Sequence, residues 1–187
     1  VASDNVLGGV MAGNALANAI GKEGTVYVSN VKPGISTTDQ REEGFKAAMV
    51  NYPNITVLET QFNDDDANKA SAQVNAVVAR APDLAGIFGA NLFSAIGSAD
   101  GVKAMGKTGE IKVVAFDAPT RIVDDLKSGL VDLAIAQHPA EIGYMGVMVA
   151  FGHVTGNPVP VSVGTGFTVM TADNIDDPNI SKYVYSC

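Results

Sequence analysis

The sequence predicts an α/β fold built on a doubly wound parallel sheet, and two observations carry that expectation. Short β-rich runs alternate with helical stripes from Thr25 to Gly152, a rhythm that implies parallel strands covered by helices on both faces. A length of 187 residues with 47% hydrophobic and 17% charged residues suits one main domain with a sizeable core.

The elements follow in order. Val6, Leu7, Val10, Met11, Leu16 and Ile20 recur at near-helical spacing behind Asn5, a suitable N-cap, and Gly21 and Gly24 end the pattern, which predicts a helix over about 5–21. Residues 25–28 read as a strand, and residues 30–38 read as a loop interrupted by Pro33-Gly34. Phe45, Ala48, Met49 and Tyr52 mark a helix stopped by Pro53, and residues 55–60 a strand. Ala70, Val74, Val77, Val78 and Ala81 form the next stripe, opened by Asp64-Asp65-Asp66, which suits a positive helix start, and closed by Pro82. Strands over 85–90, 111–116 and 131–136 then alternate with helices over 92–105, 120–128 and 139–152. Beyond Gly156 the pattern changes to short strands at 159–163 and 167–170 about Gly164-Thr165-Gly166, followed by a polar tail.

Composition removes several function classes. A net charge of -8 with scattered Lys and Arg offers no basic stripe for a phosphate backbone, so nucleic acid is not an expected partner. No apolar stretch is long enough to predict a transmembrane helix. The single cysteine, Cys187, excludes an intrachain disulfide, a cysteine-based zinc site and a redox pair. The consecutive Asp64, Asp65 and Asp66 lack the spacing and distal Glu of a calcium loop, and His138 and His153 stand far apart, so no metal or cofactor is expected. Gly8, Gly9 and Gly13 lack GxGxxG spacing and have no strand opening into them, which points to close helix packing and not to a dinucleotide. The chain starts at Val1 with no leader pattern and reads as part of something longer.

In doubly wound sheets ligands bind outside the carboxyl ends of the strands. Arg41, Asn91, Asp117 and Gln137 stand near predicted strand ends or in the segments beyond them. Together they offer a planar donor fork, two amides and a carboxylate, a set that matches vicinal hydroxyls, each of which donates once and accepts twice. From position alone the alternative is structural: Asn91 and Asp117 capping helices, Arg41 paired with Glu42 or Asp39, and Gln137 solvated.

The stretch Ala2-Ser3-Asp4-Asn5-Val6-Leu7-Gly8-Gly9, Arg41 within Gln40-Arg41-Glu42-Glu43-Gly44-Phe45, Asn91 closing Ile87-Phe88-Gly89-Ala90-Asn91, Asp117 closing Val113-Val114-Ala115-Phe116-Asp117, and Ile135-Ala136-Gln137 resemble ribose-binding-type periplasmic proteins in order and spacing. The resemblance covers the whole chain. It implies the type I solute-binding fold, in which two Rossmann-like α/β lobes joined by three crossing segments close on a sugar in the periplasm for the membrane permease of an ABC importer. It carries the family's carboxy-terminal-lobe contacts onto Arg41, Asn91, Asp117 and Gln137, and implies no catalytic residue. It assigns residues 1–137 to a carboxy-terminal ligand-binding lobe, 138–163 to a return segment belonging to an amino-terminal lobe, and 164–187 to a return strand and tail. The sequence departs from the family in having no counterpart of the first lobe, and in Asp65, which stands where the lobe often carries an aromatic residue and so implies a more polar ligand or a less firmly stacked ring.

Taken alone, the segment 138–163 would show the apolar stripe of Ile142, Met145, Val149 and Phe151 to water, so it is expected to dock on its own domain, associate with a second copy, or be disordered. Two rival classes remain at this point. The effector-binding domain of a LacI-type transcription regulator shares the fold and similar contacts, but no helix-turn-helix or basic segment is present in these residues. An α/β enzyme needs an acid/base pair or activated nucleophile, for which Asp117 alone offers itself, unpartnered in sequence.

Overall fold

The structure is a computed structural model and describes residues 1–185; Cys187 lies outside the described residues. The elements run β1 (Ala2–Ser3), α1 (Asn5–Ala19), β2 (Gly24–Asn30), α2 (Ser36–Met49), β3 (Ile55–Val57), β4 (Gln61–Phe62), α3 (Ala67–Arg80), β5 (Leu84–Gly89), α4 (Leu92–Ala104), β6 (Lys112–Phe116), α5 (Thr120–Lys127), β7 (Leu133–Gln137), α6 (Pro139–Val154), β8 (Gly164–Thr165), β9 (Phe167–Met170) and α7 (Pro178–Ser181).

The main sheet has the order β3-β2-β5-β6-β7-β9, with β4 also pairing with β2, and all pairs are parallel except β7 with β9. The chain moves outward from β2 to β3 and then returns to the other side of β2 with β5. That reversal is the topological switch point beside which doubly wound sheets hold ligands.

Side-chain alternation divides the core in two. Val26, Val28, Phe88, Val114, Phe116 and Ile135 face α1 and α2, where Leu16, Phe45 and Met49 cover them. Their strand neighbours Tyr27, Ile87, Val113, Ala115 and Ala134 face α3, α4 and α5 on the opposite side, against Val74, Val77, Ala99, Ile122 and Leu126. Across the first face the rings of Phe45, Phe88, Phe116 and Phe167 touch in sequence, at centroid separations of 5.2, 6.4 and 5.5 Å.

Helices α1 and α2 approach with almost no side chain between them. A Cβ on Gly9 would stand 2.0 Å from the Arg41 carbonyl oxygen, and one on Gly44 would stand 2.0 Å from that of Val6. This crossing brings the start of α1 and the second turn of α2 together, which positions the site described below.

Several boundaries differ from the sequence expectation. Asp4, not Asn5, caps α1, accepting from the Leu7 amide at 3.1 Å; Asn5 is the first helical residue and turns its side chain inward. Helix α2 starts inside the expected loop, at Ser36, where Asp39 in its first turn accepts from the Gly34 amide at 2.9 Å and fastens the turn to the helix. The expected strand at 55–60 divides into β3 and β4. No strand forms over 159–163, and Val161 there is fully exposed. Pro158 and Pro160 remove amide donors from that stretch. Gly164–Thr165, expected as a turn, pairs instead, with β1. Helix α6 contains no buried residue, so the docking on its own domain considered above is not what the structure shows.

Candidate functional site

Arg41 is the centre of the site. It projects from the second turn of α2 and is only 5% exposed. Its Nε donates to Asn5 Oδ1 and its Nη1 to the Ala90 carbonyl, both at 2.9 Å. Its Cζ lies 3.7 Å from the centroid of the Phe116 ring, a cation–π contact at the end of the aromatic row. Among the described residues no Asp or Glu forms an ion pair with it, so neither Glu42 nor Asp39 is its partner. Burial lowers its pKa, and Asp117 and Tyr185 pull it back upward through space. A desolvated guanidinium held by neutral acceptors and a ring favours a hydrogen-bond acceptor brought in from outside.

Asp117 lies one residue past β6 with φ of +79°, a left-handed conformation unfavourable for a residue other than glycine. Its amide donates to the Ile135 carbonyl at 3.0 Å, and its Oδ1 accepts from Gln137 Nε2 at 2.5 Å. Gln137, the last residue of β7, accepts at Oε1 from Ser3 Oγ at 2.7 Å. A relay thus runs from β1 through the end of β7 to the end of β6. Asp117 caps no helix, since Pro119 occupies the α5 N-cap, and Gln137 is bonded at both ends of its amide and not simply solvated.

Asn91 behaves partly as the structural alternative expected: its Oδ1 caps α4 by accepting from the Ser94 amide at 3.1 Å. Its Nδ2 donates to Asp65 Oδ1 at 2.6 Å. Arg41 reaches the carbonyl of the preceding residue, Ala90, so the arginine and the asparagine stand on the same strand end.

The fold therefore gathers Arg41, Asn91, Asp117 and Gln137 at the carboxyl edge of β5, β6 and β7. Ser3, Asn5, Asp65 and Phe116 belong to the same network, and of these only Asp65 was noted in the sequence in connection with the ligand, as the position where the family often carries an aromatic residue. Asn5 was visible as a polar residue at a helix start, but its inward direction depends on the α1–α2 crossing. Beside Asn5 an open groove of about 470 Å³ is lined by Ser3, Asp4, Val6, Ser36, Thr37 and Gln40. Asp117, the one carboxylate at the strand ends considered for acid/base chemistry, is bonded to an amide, which supplies no second titrating group. Among the described residues no group of three or more His, Cys, Asp or Glu could hold a metal ion, and no helix is long and apolar enough to cross a membrane.

Comparison with known proteins fits this geometry. Residues 1–158 match the model of the periplasmic binding protein domain. The chain is 33% identical over 171 residues to a ribose import binding protein of Haemophilus influenzae, covering 91% of this chain and 58% of that protein. It is 28% identical over 172 residues to the D-allose-binding periplasmic protein of Escherichia coli, covering 91% of this chain and 55% of that protein. A solved ABC transporter solute-binding protein from Agrobacterium vitis, bound with α-D-tagatopyranose, superposes with a TM-score of 0.96 at 64% identity, over 99% of this chain and 62% of that one. The chain thus spans little more than half the length of these curated relatives. It belongs to the periplasmic binding protein domain family and has the type I fold.

Proposed function

We propose that this chain supplies the carboxy-terminal ligand-binding lobe of the substrate-binding component of an ABC-type sugar importer, acting in the periplasm and delivering a monosaccharide or related polyol to a membrane permease. The observation that carries this reading is the buried Arg41 guanidinium, without a carboxylate ion-pair partner among the described residues, at a strand edge shared with Asn91, Asp117 and Gln137. These residues are its ligand contacts. Mixed donors and acceptors fixed at one edge satisfy hydroxyls whose hydrogen bonds run both ways.

In this reading residues 1–137 form the lobe, 138–163 return to complete an amino-terminal lobe, and 164–187 return to this one. Supporting it are the share of its relatives that the chain covers and the bare apolar face of α6, where Tyr144, Val147, Phe151 and Val154 are exposed. The relatives named above are solute-binding proteins, which favours import over the effector domain of a regulator and binding over catalysis. Closure of two lobes on the sugar is a hinge motion driven by contacts made only when closed.

The test is calorimetric titration of the full-length protein with D-tagatose, D-allose, D-ribose, D-arabinose and D-fucose. At least one is expected to bind. Arg41→Lys, which loses the planar fork, and Asp117→Asn are each expected to weaken it by about ten- to a hundredfold, the loss of one charged hydrogen bond. Absence of binding across the panel, or turnover of any bound sugar, overturns the proposal.

A further inference from the structure

After β9 the chain turns back along its own lobe. Asn174 fixes the turn, its Oδ1 accepting from the Thr171 amide at 2.8 Å and its Nδ2 donating to the Val169 carbonyl at 3.1 Å. Ile175 is buried in the core on the α5 side of the sheet, and Ile180, Tyr183 and Val184 pack against the same core. This strap, residues 171–185, ends at the ligand edge, where the Tyr185 amide reaches the Ala118 carbonyl at 3.4 Å and Tyr185 bridges in parallel to Pro119.

Two residues earlier the strap meets His138, which directly follows Gln137. The Tyr183 ring stacks on the imidazole at a centroid separation of 3.7 Å and an interplanar angle of 11°. His138 is buried, and both its nitrogens are engaged, Nδ1 by Glu141 Oε2 and Nε2 by Thr168 Oγ1, each at 2.9 Å. Helix α6, β9 and the strap therefore hold one ring between them. His138 stands at the N-cap of α6, yet its side chain makes no cap bond, so helix capping does not account for the arrangement.

The consequence falls on the neighbouring residue. Gln137 closes β7 and donates to Asp117, whose backbone is held at φ of +79°. A strained conformation of that kind persists only where its surroundings over-determine it. The strap restrains the chain just beyond each partner in the bond, through His138 after Gln137 and through Ala118 and Pro119 after Asp117. We propose that His138, clamped by Tyr183, is a positioning residue that fixes Gln137 against Asp117 before a ligand arrives. The clamp acts through these two contacts and not on the sugar itself, by lowering the cost of ordering them on binding. This rests on the sugar-binding reading above and adds to it a role for the end of the chain.

The experiment uses the full-length protein and whichever of the five sugars it binds most tightly. Tyr183→Leu keeps apolar bulk against the core but removes the flat face, and Thr168→Val keeps the shape of β9 but removes the bond to Nε2. Each is expected to weaken the sugar by about three- to tenfold, and to move the Gln137 side-chain amide signal of the ligand-free protein, read by heteronuclear NMR, toward that of a solvated glutamine. Tyr183→Phe, which keeps the ring, is expected to retain both. Should Tyr183→Leu not fold, Thr168→Val decides alone. A fall in affinity with the Gln137 signal unmoved, a moved signal with affinity intact, or no change in either overturns the clamp, while loss of binding in Asp117→Asn leaves the site reading standing. Failure of the wild type to bind any of the sugars overturns both.

Discussion

Helix α6 carries far more apolar residues than α2, yet α2 is the one whose apolar side chains are covered. In α2, Phe45, Ala48 and Met49 are buried against the sheet and against α1. In α6 no residue is buried, and Phe151 is 61% exposed. Small residues decide the first case, since Gly44 and Gly9 let two backbones touch. Of the glycines of α6, Gly143 and Gly146 meet nothing within 4 Å, and Gly152 meets only a methyl group of Val159, at 3.0 Å. An apolar stripe therefore states that a helix needs a cover, while the origin of that cover is settled by what packs on it. For α6 it is assigned here to the proposed amino-terminal lobe.

The sharpest way to break this comparison is to truncate one aromatic in each helix. Phe45→Ala empties the site where α2 stacks on Phe88 of β5 and is expected to cost about 3–5 kcal/mol, read from denaturant unfolding of the lobe. Phe151→Ala in the same chain is expected to fall within about 0.5 kcal/mol, because nothing is uncovered. In the full-length protein Phe151→Ala should become costly, by about 2 kcal/mol or more. If it stays neutral there, the apolar face is not covered by the other lobe.

Glycines give the next contrast. Gly44→Ala drives a methyl group into the Val6 carbonyl and is expected to cost about 2–3 kcal/mol, while also separating Arg41 from Asn5 and weakening sugar binding. Gly146→Ala meets open space on a helix and is expected to gain up to about 1 kcal/mol. Equal effects at the two positions in thermal unfolding would contradict the close α1–α2 crossing.

The alternation of strands and helices was legible in the sequence because short apolar runs alternate with helical stripes between Thr25 and Gly152, two of them, α3 and α4, opened by a side-chain cap. The shared edge of Asn91, Asp117 and Gln137 was legible for the same reason, since the parallel strands β5, β6 and β7 deliver their carboxyl ends to one side. What the sequence hid depends on long-range geometry. Asn5 looks like a cap in isolation, yet Asp4 takes that role and Asn5 reaches Arg41 across 36 positions. Asp65 stood out in the sequence only as the place where the family often carries an aromatic residue, and its bond to Asn91 depends on the fold. Residues 159–163 mislead in the other direction, since their valines suggest a strand that Pro158 and Pro160 do not allow to pair.

The smallest expected effect concerns Glu42, which fastens α2 to the sheet. Its Oε2 accepts from Asn30 Nδ2 at 2.7 Å, and its Oε1 accepts from Thr60 Oγ1 at 2.6 Å and pairs with Lys46. Burial pushes its carboxyl upward, but the bonds from Lys46, Thr60 and Asn30 outweigh it and hold the pKa below the ordinary value. A depressed folded-state pKa contributes stability that is fully present above the unfolded value, about 4.3, and is lost as pH falls through the folded one. Glu42→Gln is therefore expected to cost about 1–2 kcal/mol at pH 7, with the gap from wild type closing as pH drops below about 4. The α6 residue Glu141, exposed and bonded to His138, provides the control: Glu141→Gln should shift stability by less than about 0.5 kcal/mol at pH 7. A Glu42→Gln deficit that persists undiminished at pH 3 would mean that shape, and not the charge, holds α2 in place.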